Sequence, residues 1–292
     1  MGSDAVIVIE GMPDHVNAAI SRIADLENSW SRFIHDSEIS RLNRSSSWVD
    51  VSEDTLMLMD RSIDANKITS GAFDPTVLTS LVALGYDTSR SEKPGRTRLS
   101  HTPRAGRSPG LAAVDIDREM SRVRLGRAVA FDPGGLGKGL AADIVASEAV
   151  ASGACAAMVS IGGDVRIAGC APPEWVIAVE NPFDAEATIA ELRLEHGAIC
   201  TSSVAANTWT TDDGAAVHHL IDPATGSPIL SSIVAATVVA GEAWIAEAMC
   251  KTAIRGDALH ALSFLESAGV EGLLVDTDRF VWRTAGLEGF AT

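Results

Sequence analysis

Residues 131–153, FDPGGLGKGLAADIVASEAVASG, carry four glycines within positions 134 to 139 and then a run suited to a helix. Gly134, Gly135, Gly137 and Gly139 let the backbone take positive φ and approach another surface closely. A helix starting there presents unpaired N–H groups and a positive dipole end. The stretch therefore suits either a phosphate cradle or a structural tight turn. It is not a Walker A loop, which needs Ser or Thr after Gly-Lys, and its G-x-G-x-G spacing is not the dinucleotide fingerprint G-x-G-x-x-G. The helix that follows reads as amphipathic. ACAAMVSIGGDVRIAG then reads as strand, glycine turn and strand, and WVIAVENP and TIAELRLEHGAICTSS continue the strands.

Toward the N-terminus, AVIVIEG (5–11) is predicted to be a short buried strand. Val16, Ile20, Ile23 and Leu26 recur at helical spacing, which predicts a helix over 13–28. A second helix is predicted over 52–69, with Ser52 as N-cap and Gly71 just past its end. AVDIDREMSRVRLG alternates like a hairpin, EAWIAEAMCKTAIRGD and DALHALSFLESAG pattern as helices, and GLLVDTDRFVWR closes as a hairpin. Strands in runs with interspersed helices indicate an α+β fold rather than a βαβ barrel. Residues 88–112, basic and punctuated by Pro and Gly, are predicted to form a long surface loop.

A chain of 292 residues suits one large domain or two intimately packed halves. Its formal charge of −16 argues against nucleic acid or anionic membrane as a partner, since both need basic surfaces. An anionic ligand must then be held locally, by backbone N–H groups, a few cations or a metal. Cys155, Cys170, Cys200 and Cys250 show no metal-ligand spacing and are expected to be free buried thiols. The start MGSDAVIVIEG lacks the basic and apolar regions of a signal peptide, and no apolar run reaches membrane-spanning length.

Four further stretches carry chemistry-bearing residues. HHLIDPATGSPI (218–229) sets two imidazoles ahead of a rigid turn, either as a satisfied hairpin or as an aimed base. SIGGDV (160–165) places Asp164 after a glycine turn, which fits close backbone approach or simple hairpin geometry. SGAFDPTV (70–77) sets Phe73 beside Asp74, to flank a ring system or to pin a loop to the core. In AEAMCKTAI, Glu247 and Lys251 stand four apart on one helical face, where a solvated ion pair is the simplest reading.

Taken in order, MGSDAVIVI, SRFIHDSEISRLN, GAFDPTV, DPGGLGKGLAAD, SIGGDVRIAG, ICTSS and HHLIDPATGSPI resemble one family, from Met1 to about Gly256. This is the ApbE family, the FAD:protein FMN transferases once described as thiamine-biosynthesis lipoproteins. The resemblance implies a single T-fold-like domain over residues 1–292. It would be built as two intimately packed lobes, with mixed and antiparallel sheets flanked by helices and a flavin cleft between the lobes. It also implies a Mg²⁺-dependent enzyme that takes FAD, attaches FMN to a Thr or Ser of a target flavoprotein, and releases AMP. The competing readings are an FAD pyrophosphatase and a non-catalytic FAD-binding protein.

Carried over residue by residue, the likeness makes His219 the candidate base and Asp222 the residue that fixes its turn. Met1, Phe33 (where the family often has Tyr), Ala72, Phe73, Asp74, Gly135, Lys138, Asp164, Thr201 and Ser202 fall at FAD-side positions. Ser203 stands where the family has Gly. The carbonyl of Ala141 and the carboxylate of Glu247 fall at Mg²⁺ positions, but Lys251 stands where the family has a Thr ligand. A protonated ammonium has no lone pair to give a metal. Thr252, five residues from Glu247, is turned roughly 140° round the helix. Two outcomes follow: a weaker Mg²⁺ site completed by water and phosphate, which is the favoured expectation, or Lys251 replacing part of the metal's charge. With no lipobox cysteine the expected location is cytoplasmic, or outside the membrane if a leader has been removed.

Overall fold

The computed structural model of the chain describes residues 3–89, 95–170, 174–211 and 214–291. In chain order the first elements are β1 (Ala5–Glu10), α1 (Pro13–Trp30), α2 (Glu38–Arg44), β2 (Val49–Asp50), α3 (Glu53–Ile68) and α4 (Leu78–Ala83). β3 (Val114–Asp117), β4 (Arg122–Leu125), α5 (Gly137–Ala151), β5 (Ala156–Ile161), β6 (Asp164–Gly169), β7 (Trp175–Asn181) and β8 (Asp184–Leu194) follow. The remainder is β9 (Gly197–Ser203), β10 (Thr208–Thr210), β11 (Ala216–His218), β12 (Ile233–Ala240), α6 (Ala243–Ala253), α7 (Ala258–Ser267), β13 (Glu271–Asp276) and β14 (Val281–Arg283). Helices and antiparallel strands are mixed along the chain, as α+β requires.

Two compact units emerge. One is built from Ala24–Gly137 and Asn207–Ile229, the other from Asp4–Ile23, Lys138–Ala206 and Leu230–Thr292. The first holds the sheet β2-β4-β3, the ribbon β10-β11, and an apolar cluster of Leu78, Leu81, Ala130 and Ile221. Ser52 caps α3 through the Thr55 N–H, as its sequence predicts. The predicted loop 88–112 is partly pinned rather than wholly solvated. Ser108 N–H donates to the Pro223 carbonyl at 2.7 Å, and the Gly106 N–H lies 3.3 Å from the Ser80 hydroxyl. Residues 90–94 of that loop lie outside the described residues.

The second unit is organised by a seven-stranded sheet in the order β1-β5-β6-β9-β12-β13-β14, antiparallel throughout. Its interior strand β12, IVAATVVA, is buried along its whole length, so both faces are covered. On one face the β7–β8 hairpin packs Val179, Leu192 and Leu194 against Val165, Ile167, Ile199, Ala235 and Val239. α6 packs β9 and β12 from the other face, as the Cys200 thiol reaching the Ala243 carbonyl shows.

Three expectations are corrected here. AVIVIE is not a buried strand: β1 pairs only with β5, at the sheet edge, and leaves Val6 and Val8 exposed. α5 is not amphipathic, because its first ten residues are buried apart from Lys138, as a helix apolar on all sides demands. Of the four thiols only Cys200 and Cys250 are buried, and Cys155 and Cys170, which flank β5 and β6, are exposed. Among the described residues no helix is long and apolar enough to cross a membrane.

Candidate functional site

In the second unit the predicted residues meet around two helix ends. The β5–β6 hairpin turns through Gly162 and Gly163, at φ 57° and 87°, the double left-handed conformation of a tight two-residue turn. That turn starts β6 at Asp164, on the strand face opposite Val165 and Ile167 and therefore on the helix side. Gly139, in the first turn of α5, lies against the backbone of α6: a Cβ there would sit 2.6 Å from the Ala243 carbonyl oxygen. Glycine is required for that approach. The contact also brings the N-terminus of each helix beside an acid of the other.

The two helices cap each other. Asp143 of α5 accepts the Ala243 and Trp244 N–H groups of α6 at 2.8 and 2.9 Å. In return, Glu247 of α6 accepts the Gly139 N–H of α5 at 2.9 Å. Each carboxylate satisfies orphan donors at the positive end of a helix dipole. Burial pushes the Asp143 carboxyl up to about 6, against the pull of those N–H groups and of Arg166. Arg166 stands 3.2 Å from Asp143 and bonds the Gly241 carbonyl.

Glu247 is the centre of an ionic cluster. Lys138 and Lys251 each place their ammonium 3.1 Å from its Oε1, and Lys138 also bonds Asp164. Burial works against the Glu247 charge, but the two lysines hold its carboxyl below the usual range. Burial raises the Asp164 carboxyl, with Glu247 adding to the effect and Lys138 opposing it. Burial also opposes the Lys138 charge, yet Asp164 and Glu247 outweigh it and lift its pKa. Ala141 is fully buried in α5, and the Thr252 hydroxyl is tied to the Ala248 carbonyl at 3.0 Å, facing away from Glu247. Thr201 and Ser202 lie on opposite faces of β9. Thr201 bonds Thr237 at 2.8 Å, whereas Ser202 shares the α6 face with Cys200.

The donor set does not match a divalent cation. Both Glu247 oxygens already accept N–H donors, and Lys251 puts an ammonium where a hydroxyl ligand would stand. Among the described residues no three His, Cys, Asp or Glu side chains cluster as metal ligands.

The first unit holds the remaining predicted residues. Three Asp-Pro pairs turn the chain alike: Asp74, Asp132 and Asp222 each accept the N–H two residues on, at 2.8, 3.0 and 3.0 Å. Asp74 also accepts the Thr76 and Ser108 hydroxyls, both at 2.7 Å. Ser108 in turn grips Pro223, so the FDP turn and the turn after His219 are tied through one serine. The Asn43 side chain pairs with both backbone groups of Phe131, at 2.7 and 2.8 Å, and anchors the chain leading to Gly135.

Phe73 is buried, with its backbone N–H and carbonyl bonded to Thr69 and Asn66, so it pins its loop; Ala72 beside it is half-buried. Phe33 packs near Tyr86, with the Arg32 guanidinium over both rings at 4.2 and 4.7 Å. His218, at the end of β11, is half-buried. Leu220 N–H donates to its Nδ1 at 3.2 Å, and its Nε2 lies 3.1 Å from the Ile229 carbonyl. That pattern is a neutral ring protonated at Nε2, and burial lowers its pKa, partly countered by the Ile229 carbonyl. His219 follows in a bend and is half-buried. Met1 lies outside the described residues.

Sequence reasoning did not single out Asp143, Arg166, Ser108, Tyr86 or Asn43. The repeated Asp-Pro pair was a visible signal; the partners of Asp143, a hundred residues away, left none.

Comparisons with known proteins bear on the family and the fold. The pattern of the ApbE family matches residues 1–274. A FAD:protein FMN transferase from Vibrio cholerae is 31% identical over 226 residues, 74% of this chain and 66% of its own length. One from Haemophilus influenzae is 27% identical, over 78% of this chain and 68% of its own. The crystal structure of the ApbE protein from Thermotoga maritima superposes with a TM-score of 0.85 at 25% identity, over 100% of this chain and 96% of that one. The flavin transferase ApbE from Vibrio cholerae shares the fold, with a TM-score of 0.76 at 23% identity over 99% of each chain. From its sequence pattern and its fold alike, the chain belongs to the ApbE family.

Proposed function

We propose that this protein is a FAD:protein FMN transferase. The observation that carries the reading is the family match over residues 1–274, joined by relatives that bear that name. In the proposed reaction a Thr or Ser hydroxyl of an acceptor flavoprotein attacks the FMN-side phosphorus of FAD. A new P–O ester bond forms, the diphosphate bridge breaks, and AMP leaves with the bridging oxygen. Attack of this kind needs a base for the hydroxyl proton and fixed positive charge for the phosphoryl oxygens.

His219 is the proposed base, and Asp222 holds the turn behind it through the Ala224 N–H. The reading is supported by the neighbouring His218, whose bonds to the Leu220 N–H and the Ile229 carbonyl anchor the chain beside His219. The proposed FAD contacts are Phe33, Ala72, Phe73, Asp74, Gly135, Lys138, Thr201 and Ser202, and Asp164 serves the same site by holding Lys138. The Mg²⁺ that the resemblance assigns to Ala141 and Glu247 does not suit the N–H donors already on Glu247.

Incubation with FAD and an acceptor flavoprotein tests the reading. Acceptor-dependent flavin fluorescence in a denaturing gel, with AMP release, is the expected result. His219→Ala is expected to keep FAD binding and lose transfer. AMP release that ignores the acceptor would point to hydrolysis instead, and undiminished transfer by the variant would remove His219 from the mechanism.

A further inference from the structure

The Glu247 cluster is layered. Glu247 and Asp164 have 1% of their side-chain surface exposed, whereas Lys138 and Lys251 have 24% and 16%. The carboxylates lie beneath, and the lysines are the members whose side chains keep exposed surface. A Mg²⁺ site needs oxygen lone pairs turned to the ion and no ammonium between them. The contacts agree with the layering: Glu247 presents Oε2 to the Gly139 N–H and Oε1 to both lysines.

From this layering we infer that Lys251, with Lys138, supplies the positive charge that meets the diphosphate of FAD, so that flavin binding and transfer do not need a divalent metal. Lys138 is anchored between Asp164 and Glu247, which fixes its ammonium in place. Lys251 is held more lightly, by one Glu247 oxygen at 3.1 Å and its own-turn carbonyl at 3.5 Å. An ammonium carries three N–H donors, so Lys251 can turn one toward a phosphate oxygen without leaving Glu247. The buried carboxylates keep the lysines charged and aimed. They serve as counter-ions and not as metal ligands. Lys251 thus binds the reacting anhydride, while Asp164 and Glu247 are positioning residues that act through the lysines.

This inference rests on the proposed function and is separable from it. FAD affinity, read by flavin fluorescence quenching on the whole chain, is compared in EDTA and in Mg²⁺. The wild type is expected to bind FAD equally in both buffers and to transfer FMN in EDTA; Mn²⁺ added as a probe is expected to give no bound signal by electron paramagnetic resonance. Lys251→Met is expected to weaken FAD about tenfold, the scale of one hydrogen bond to a charged group, and to leave riboflavin binding unchanged. Lys251→Arg is expected to keep most of the affinity. A wild type that binds or transfers only with Mg²⁺, or that holds stoichiometric Mn²⁺, overturns the inference and leaves the transferase reading standing. FAD affinity unchanged in Lys251→Met also overturns it. A wild type that binds no FAD in either buffer overturns both. The wild-type arm needs no variant to fold.

Discussion

Two buried carboxylates, Asp74 in one unit and Glu247 in the other, face the same problem with different partners. Asp74 is satisfied by one backbone N–H and two hydroxyls, all neutral donors. Glu247 is satisfied by one backbone N–H and two ammonium groups. A carboxylate held by neutral donors fixes chain geometry, and here it ties the Asp74 turn through Ser108 to Pro223. A carboxylate held by lysines fixes charge, and here it keeps two cations in place on side chains that retain some exposed surface. The first kind holds a turn, and the second holds the two lysines proposed to meet the FAD diphosphate.

Replacing each carboxylate by its amide gives the sharpest contrast. Glu247→Gln leaves two ammonium groups without their shared counter-ion, which is expected to cost about 3–5 kcal/mol. Asp74→Asn keeps an acceptor for the Thr76 N–H and weakens one hydroxyl contact, at about 1 kcal/mol. Urea unfolding followed by circular dichroism reads both. Equal losses in the two variants would erase the distinction.

Asp143 extends the contrast to pH. It stands between the two kinds, with two backbone N–H donors and a guanidinium, but burial dominates and lifts it from 3.8 to about 6. A folded-state value above the unfolded one means that the folded chain holds the proton more tightly. The stabilisation from Asp143 is therefore complete below about 3.8 and is lost as pH rises through about 6. The interval corresponds to about 3 kcal/mol. Wild type measured against Asp143→Asn from about pH 4 to about pH 7 should show that difference, with the variant the flatter. Parallel stability curves would mean that the capping N–H groups hold the charged form after all.

How much of this was legible follows from the range of the interactions. Local chemistry could be read directly: the Ser52 cap, the Gly162–Gly163 turn and the four-residue step from Glu247 to Lys251 are each settled within a few residues. Interactions across the chain could not. Lys138 meets Glu247 across 109 positions, and Asp143 reaches Ala243 across 100. Nothing in DPGGLGKGL or AEAMCKTAI announces the other. The AVIVIE strand misled because an apolar run fits an edge strand as well as a buried one, and only pairing decides. The metal expectation came from the family resemblance, and no local signal linked Lys138 to Glu247. With both ammonium groups placed, the Oε1 of Glu247 is shared by two cations and its Oε2 accepts the Gly139 N–H, a setting that repels a divalent ion.

The smallest effect concerns His218, where the neutral-donor principle of the Asp74 unit meets a group that titrates near neutrality. Its Nδ1 must accept the Leu220 N–H, which only the neutral ring can do. Burial depresses its folded-state pKa below 6.5, with the Ile229 carbonyl opposing. The contribution is therefore present above 6.5 and is lost as pH falls through the folded value. About 1 kcal/mol is at stake, the worth of one hydrogen bond. His218→Gln keeps an acceptor that does not titrate, so its thermal stability should fall less than that of the wild type between about pH 7.5 and about pH 5. Transfer activity should separate the two imidazoles, because acid loss that persists in His218→Gln belongs to another group, with His219 the proposed one. If the variant and the wild type soften equally in acid, the Leu220 bond is not what holds the end of β11, and the turn through Asp222 must hold it alone.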